Sequence, residues 1–221
     1  MQEVKNQQER TLTSADPSFD DIRPCNDSEV QTELQKIAQD DTVIDSLLKF
    51  RYPILSKHLA FILKPIVKKV LMRKISKYKT VGQFQNQVAD YLNHVIATTT
   101  DGIELVGFDK IDPKQGYLFI SNHRDIALDP AFIDIALYNR NLATARIAIG
   151  DNLLRLPAAT SLMRLNKSFI VKRSVVSPRD KLKALNHLSS YIGLSIQEGQ
   201  SVWIAEREGR AKDGDDKAES A

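Results

Sequence analysis

Three short apolar runs in the second half of the chain end in residues able to do chemistry. YLFIS runs into Asn122-His123-Arg124-Asp125, with Asp129 close behind. A histidine beside carboxylates is held in one tautomer and can serve as a general base. Asp125 and Asp129 are both near enough in sequence to orient it. SFIVKR ends in Lys172-Arg173, and SVWIAER leads into Glu208-Gly209-Arg210. Glycine next to arginine at a strand end lets an anionic group come close, and the guanidinium fork suits phosphate. His58, His94 and His187 fall within helical patterns and read as structural. The single cysteine, Cys25, excludes an intramolecular disulfide framework and a cysteine-based zinc cage. No metal site is expected.

The elements that must carry these residues alternate. Strands are expected at about 103–109, 116–122, 142–150, 168–173 and 201–207. Helices are expected at about 129–139, 153–166 and 178–197. Such alternation predicts an α/β domain over 100–221, a mixed sheet covered by helices. In such folds, sites gather at the carboxyl ends of the strands. An all-helical region, 19–99, comes first, with helices at about 28–40, 42–51, 53–78 and 81–99. Pro65 is expected to kink or divide the third of these. Residues 1–18 are polar and read as a disordered tail.

The chain has 221 residues and a formal net charge of +3, which conceals a strong segregation. Residues 1–45 hold 11 acids against 4 bases, while residues 46–89 hold 10 bases and no acid. Within 53–78, apolar residues recur at three- and four-residue steps, and the bases fall mostly between them. A basic amphipathic helix suits a membrane interface, and a solvated face on an ordinary helix is the plain alternative. No aromatic or motif pattern supports nucleic-acid binding. No secretory h-region and no run of roughly 20 apolar residues is visible.

In this order, the motifs resemble the glycerolipid acyltransferase family, over about residues 100–217. Asn122-His123 followed by Asp resembles its Asn-His-x4-Asp signature. Counting from His123, the family spacing falls on Leu128, so Asp129 gives a variant one residue longer. SFIVKR resembles the strand that ends in a basic residue binding the acceptor phosphate. Glu208-Gly209-Arg210 resembles the Glu-Gly-Thr-Arg motif of phosphate recognition, without its threonine.

The resemblance implies a glycerolipid-acyltransferase-like fold and direct acyl transfer without an acyl-enzyme or cofactor. His123, oriented by Asp129 or Asp125, would deprotonate a glycerol hydroxyl that attacks acyl-CoA or acyl-carrier protein. Lys172, Arg173 and Arg210 would hold the acceptor phosphate. The expected acceptor is 1-acyl-glycerol-3-phosphate, in phosphatidic acid and phospholipid synthesis. Glycerol 3-phosphate or another lysolipid is the alternative, and an inactive membrane-binding module is the alternative of another class. Lys64, Lys68, Lys69, Arg73 and Lys74 are expected to dock a peripheral protein on the cytoplasmic membrane face. The family continues with further strand and helix after its third motif, so the chain is expected to be incomplete at its C-terminus.

Overall fold

The computed structural model describes residues 12–206. Four strands form one sheet: β1 (Leu118–Ser121), β2 (Arg146–Gly150), β3 (Ser168–Val171) and β4 (Val202–Ala205), in the order β1-β4-β2-β3. The α/β class holds, and all three pairings among the described residues are parallel, which corrects the mixed sheet expected from sequence to a parallel one there. The cause is the connections. Helices α5 (Leu128–Tyr138), α6 (Pro157–Leu165) and α7 (Pro178–Gln197) each return the chain to the end where it started.

The run 103–109 is not a strand. Gly107, at φ 83, turns the chain into a 3-10 turn over Phe108–Lys110. Phe108 and Ile111 then pack against Leu137, Ala145, Ile147 and Trp203. Their apolar character serves that cluster rather than a ladder.

Side-chain alternation along the strands builds a core on each face of the sheet. Val202 and Phe169 join Tyr191 of α7 with Phe19 and Ile22. Trp203 and Ile147 join Leu137 of α5. Residues 12–18, part of the expected disordered tail, are instead placed against the domain. Ser14 is 2% exposed and donates to Glu198 from both its amide and its hydroxyl, and Arg146 donates to its oxygen at 2.8 Å. Just beyond, Ile22 accepts a bond from the Ile170 amide at 2.8 Å and so covers the β3 edge. Residues 1–11 lie outside the described residues.

Four helices precede the sheet: α1 (Val30–Gln39), α2 (Asp41–Arg51), α3 (Leu55–Ile75) and α4 (Val81–Thr99). Their starts are legible in local chemistry. Asn26 and Glu29 form a capping box ahead of α1, Asp40 caps α2 at Thr42 and Val43, and Thr80 caps α4 at Gln83. In α3 the break is at Leu59 (φ −120, ψ 18), not at Pro65. Pro65 removes one amide donor, and the helix carries on past it to Ile75. Val30, Leu34 and Ala38 of α1 are buried with Leu165 of α6 and with Ile75 and Val81. The first helices therefore share a core with the α/β elements.

Candidate active site

The carboxyl end of β1 delivers the first motif. After Ser121 the chain passes Asn122 and His123 and folds back before α5 begins. Asp125 Oδ1 accepts the amides of Ala127 and Leu128, each at 2.8 Å, and so holds the turn that leads into α5. Asp129 stands in the first turn of α5. Its Oδ2 accepts the amides of Arg124 at 2.7 Å and Asp125 at 3.0 Å. The same oxygen lies 3.1 Å from His123 Nδ1. Of the two carboxylates left open by the spacing, Asp129 is thus the one that meets the imidazole. The extra residue in the loop is absorbed because Asp129 reaches back from a helical turn.

An ionised carboxylate can only accept, so this contact puts the imidazole proton on Nδ1. Nε2 keeps its lone pair and is the basic nitrogen. The pair is mostly shielded, with 16% and 17% of the two side chains exposed. The Trp203 ring stands edge-on to the imidazole, 6.2 Å between centroids, and its Nε1 donates to Ser121 Oγ at 3.1 Å.

Two spaces adjoin the dyad. His123 lines a cavity of about 660 Å³ whose wall is mainly apolar, including Val88 and Leu92 of α4, Leu162 and Met163 of α6, and Trp203. Asp129 lines a separate cleft of about 420 Å³ together with Asn122 and Arg124. From the sequence, the α4 residues have a place on a helix and no role in a site. The same apolar stripe signalled them, but only the fold leaves a space beside them.

The second motif splits. Arg173 lines the large cavity with His123. Lys172 is not among the residues lining it, and its Nζ is ion-paired with Asp21 of the N-terminal segment. Successive side chains of an extended segment point to opposite sides, which separates the two cations. The third motif, Glu208-Gly209-Arg210, lies outside the described residues. The chain is last described at Glu206, whose amide bonds the Ser121 carbonyl at 2.9 Å.

The basic helix α3 also divides. Lys64 pairs with Asp45 at 2.8 Å, and Lys68 with Asp41 at 2.9 Å, both acids lying on α2. Among the described residues, Lys69, Arg73 and Lys74 have no carboxylate within 4.0 Å, and all three are exposed. Beside them runs an exposed apolar row of Leu55, Leu59, Ile62, Ile66 and Val70. No helix among the described residues is long and apolar enough to cross a membrane.

At the opposite, amino edge of the sheet lies a buried group the sequence reading missed. Asp134 of α5 accepts the Ala145 amide at 2.8 Å. Burial pushes its carboxyl up to about 7, against that hydrogen bond and the charge of Lys167.

The His–Asp pair thus stands at the carboxyl edge of a parallel α/β sheet, where sites in such folds gather, beside a mainly apolar cavity. The acyltransferase family model matches residues 102–215, just over half of the chain, and the chain belongs to this family, the glycerolipid acyltransferases. No curated protein matches the chain.

Proposed function

We propose that the protein transfers a fatty acyl group from acyl-CoA or acyl-carrier protein to the free hydroxyl of 1-acyl-glycerol-3-phosphate. The observation that carries this reading is the placement of the dyad. His123, held at Nδ1 by Asp129, faces an apolar cavity of about 660 Å³ that also has Arg173 on its wall. An acyl chain fits an apolar wall, a phosphate fits a guanidinium, and the reacting hydroxyl belongs between them.

The steps follow from those positions. Nε2 of His123 takes the hydroxyl proton as the oxygen attacks the thioester carbonyl. Asp129 stabilises the imidazolium that forms. The tetrahedral intermediate collapses, the carbon–sulfur bond breaks, and the thiolate leaves with the proton returned by His123. General base catalysis contributes roughly 10²–10⁴-fold. Holding the acceptor by its phosphate adds orientation.

The surface of α3 supports action at a membrane. Its exposed apolar row can enter the interface while Lys69, Arg73 and Lys74 meet anionic headgroups, such as those of a cytoplasmic leaflet, at about 1 kcal/mol per base.

The test uses the full chain with labelled acyl-CoA and either lysophosphatidate or glycerol 3-phosphate on anionic liposomes. Labelled phosphatidate is the expected product, and His123→Ala abolishes it while liposome binding stays intact. Transfer by the His123→Ala protein at the wild-type rate would sink the mechanism. Faster transfer to glycerol 3-phosphate would move the acceptor. No product with either acceptor, alongside intact liposome binding, would leave a membrane-binding module.

A further inference from the structure

We propose that Gly150 and Asp151, the corner where β2 ends, are positioning residues that aim Arg173 at the acceptor phosphate. This rests on the reading of Arg173 given above.

β2 and β3 lie side by side, with Gly150 opposite Val171. Past Val171 the ladder stops and the chain enters Lys172, Arg173 and Ser174. Asp151 takes over at that point. Its Oδ1 accepts the Arg173 amide at 3.1 Å, and its Oδ2 accepts the Ser174 amide at 3.2 Å and the Ser174 hydroxyl. One carboxylate thereby fixes the backbone on which Arg173 is mounted. Burial alone would raise the Asp151 carboxyl, but the bonds from Ser174 and Arg173 hold it below its ordinary value. It is therefore an ionised acceptor throughout the neutral range.

Gly150 governs the side chain. Its backbone is ordinary extended chain (φ −70, ψ 138), so no left-handed conformation calls for glycine here. Space does. A Cβ at this position would stand 3.2 Å from Arg173 Cδ and 3.3 Å from Arg173 Nε, and 2.4 Å from Asn152 Oδ1. The Arg173 stem crosses directly over Gly150 on its way to the cavity wall it shares with His123. A methyl group would press on that stem, which must give by a few tenths of an ångström, and would displace the Asn152 amide outright. Backbone and stem of the same arginine are thus set by two consecutive residues of a neighbouring strand end.

A purely structural corner would affect all substrates alike, whereas an aiming device discriminates by phosphate. The experiment compares transfer to lysophosphatidate with transfer to a monoacylglycerol, which offers a hydroxyl and an acyl chain but no phosphate. In the full-length protein, Arg173→Gln lowers the lysophosphatidate-to-monoacylglycerol ratio of kcat/KM. Gly150→Ala and Asp151→Asn lower the same ratio by about tenfold to a hundredfold, as expected for a displaced positioning group. Their effect appears in the KM for lysophosphatidate and not in the KM for the acyl donor. Combining Asp151→Asn with Arg173→Gln adds little to the arginine change alone, because both act through one group.

Ser174→Ala removes only the hydroxyl bond and produces a smaller drop in the same direction, which keeps the test open should Asp151→Asn not fold. An unchanged ratio in the Gly150, Asp151 and Ser174 variants, with a lowered ratio in Arg173→Gln, overturns the positioning role. An unchanged ratio in Arg173→Gln itself overturns the phosphate reading on which it rests.

Discussion

Helix α1 buries Val30, Leu34 and Ala38 against α6, whereas α3 leaves Phe61, Ile66 and Val70 in the open, Phe61 at 75% exposure. Both helices carry apolar residues at three- and four-residue steps. The period fixes a face on each helix, but it does not say what that face meets. Helix α1 has a single stripe and a partner, Leu165 of α6. Helix α3 has two: Leu71, Met72 and Ile75 close onto the α1 cluster, and the row from Leu55 to Val70 faces outward. Phe50 and Ile54, just ahead of α3 in the chain, are also open, at 88% and 78% exposure. An exposed apolar row edged with lysines is what the proposed membrane docking requires.

The contrast can be broken from either side. The largest stability effect is expected from Leu34→Ala in α1, which empties a fully packed position and costs about 2–5 kcal/mol. Urea denaturation of the whole chain measures it, and a loss under about 1 kcal/mol would mean that α1 is not part of the cooperative core.

Next in size is charge removal on α3. Changing Lys69, Arg73 and Lys74 to Gln is expected to weaken binding to anionic liposomes by about 1 kcal/mol per base. Changing Lys64 and Lys68 weakens it less, because Asp45 and Asp41 already offset them. Sedimentation with liposomes at two salt concentrations separates the sets; equal losses for both would contradict the pairing.

A third effect lies inside the domain and depends on pH. Asp134 binds a proton below about 7 in the folded chain, but only near about 3.9 when unfolded. Between those values the folded state holds the extra proton. Stability therefore falls as pH rises through that window and stays low above it. Asp134→Asn keeps an acceptor for the Ala145 amide and removes the charge. Its unfolding midpoint should exceed that of wild type at about pH 8 and approach it at about pH 4. A wild-type midpoint that does not fall across that range would refute the shift.

The smallest effect is expected from Phe61→Ser, under about 0.5 kcal/mol in stability, together with a measurable loss of liposome binding. If it unfolds the protein, the outer row of α3 is packed after all.

Much of the site could be read from residue order. Asn122-His123 at the end of YLFIS and Arg173 at the end of SFIVKR stand at the carboxyl edge because each directly succeeds a parallel strand, and parallel strands all end on that side. The helix bounds 81–99 and 178–197 coincide with α4 and α7, where Thr80 and Ser177-Pro178 punctuate the start. The strand expected at 103–109 failed for a specific reason: apolar residues around Gly107 look the same whether they pair in a ladder or cap a cluster. Asp134 could not be found, since an acid within an apolar helix gives no local sign of the amide that will meet it.

By itself, the sequence determined which chemistry was available and in what order: a histidine with two candidate carboxylates, cations at strand ends, and a basic segment free of acids. These are covalent facts of the chain. Only the tertiary structure decided among them, because hydrogen bonds and ion pairs are chosen by distance in space. It set Asp129 rather than Asp125 on His123, Arg173 rather than Lys172 on the cavity, and the acids of α2 against two of the lysines of α3.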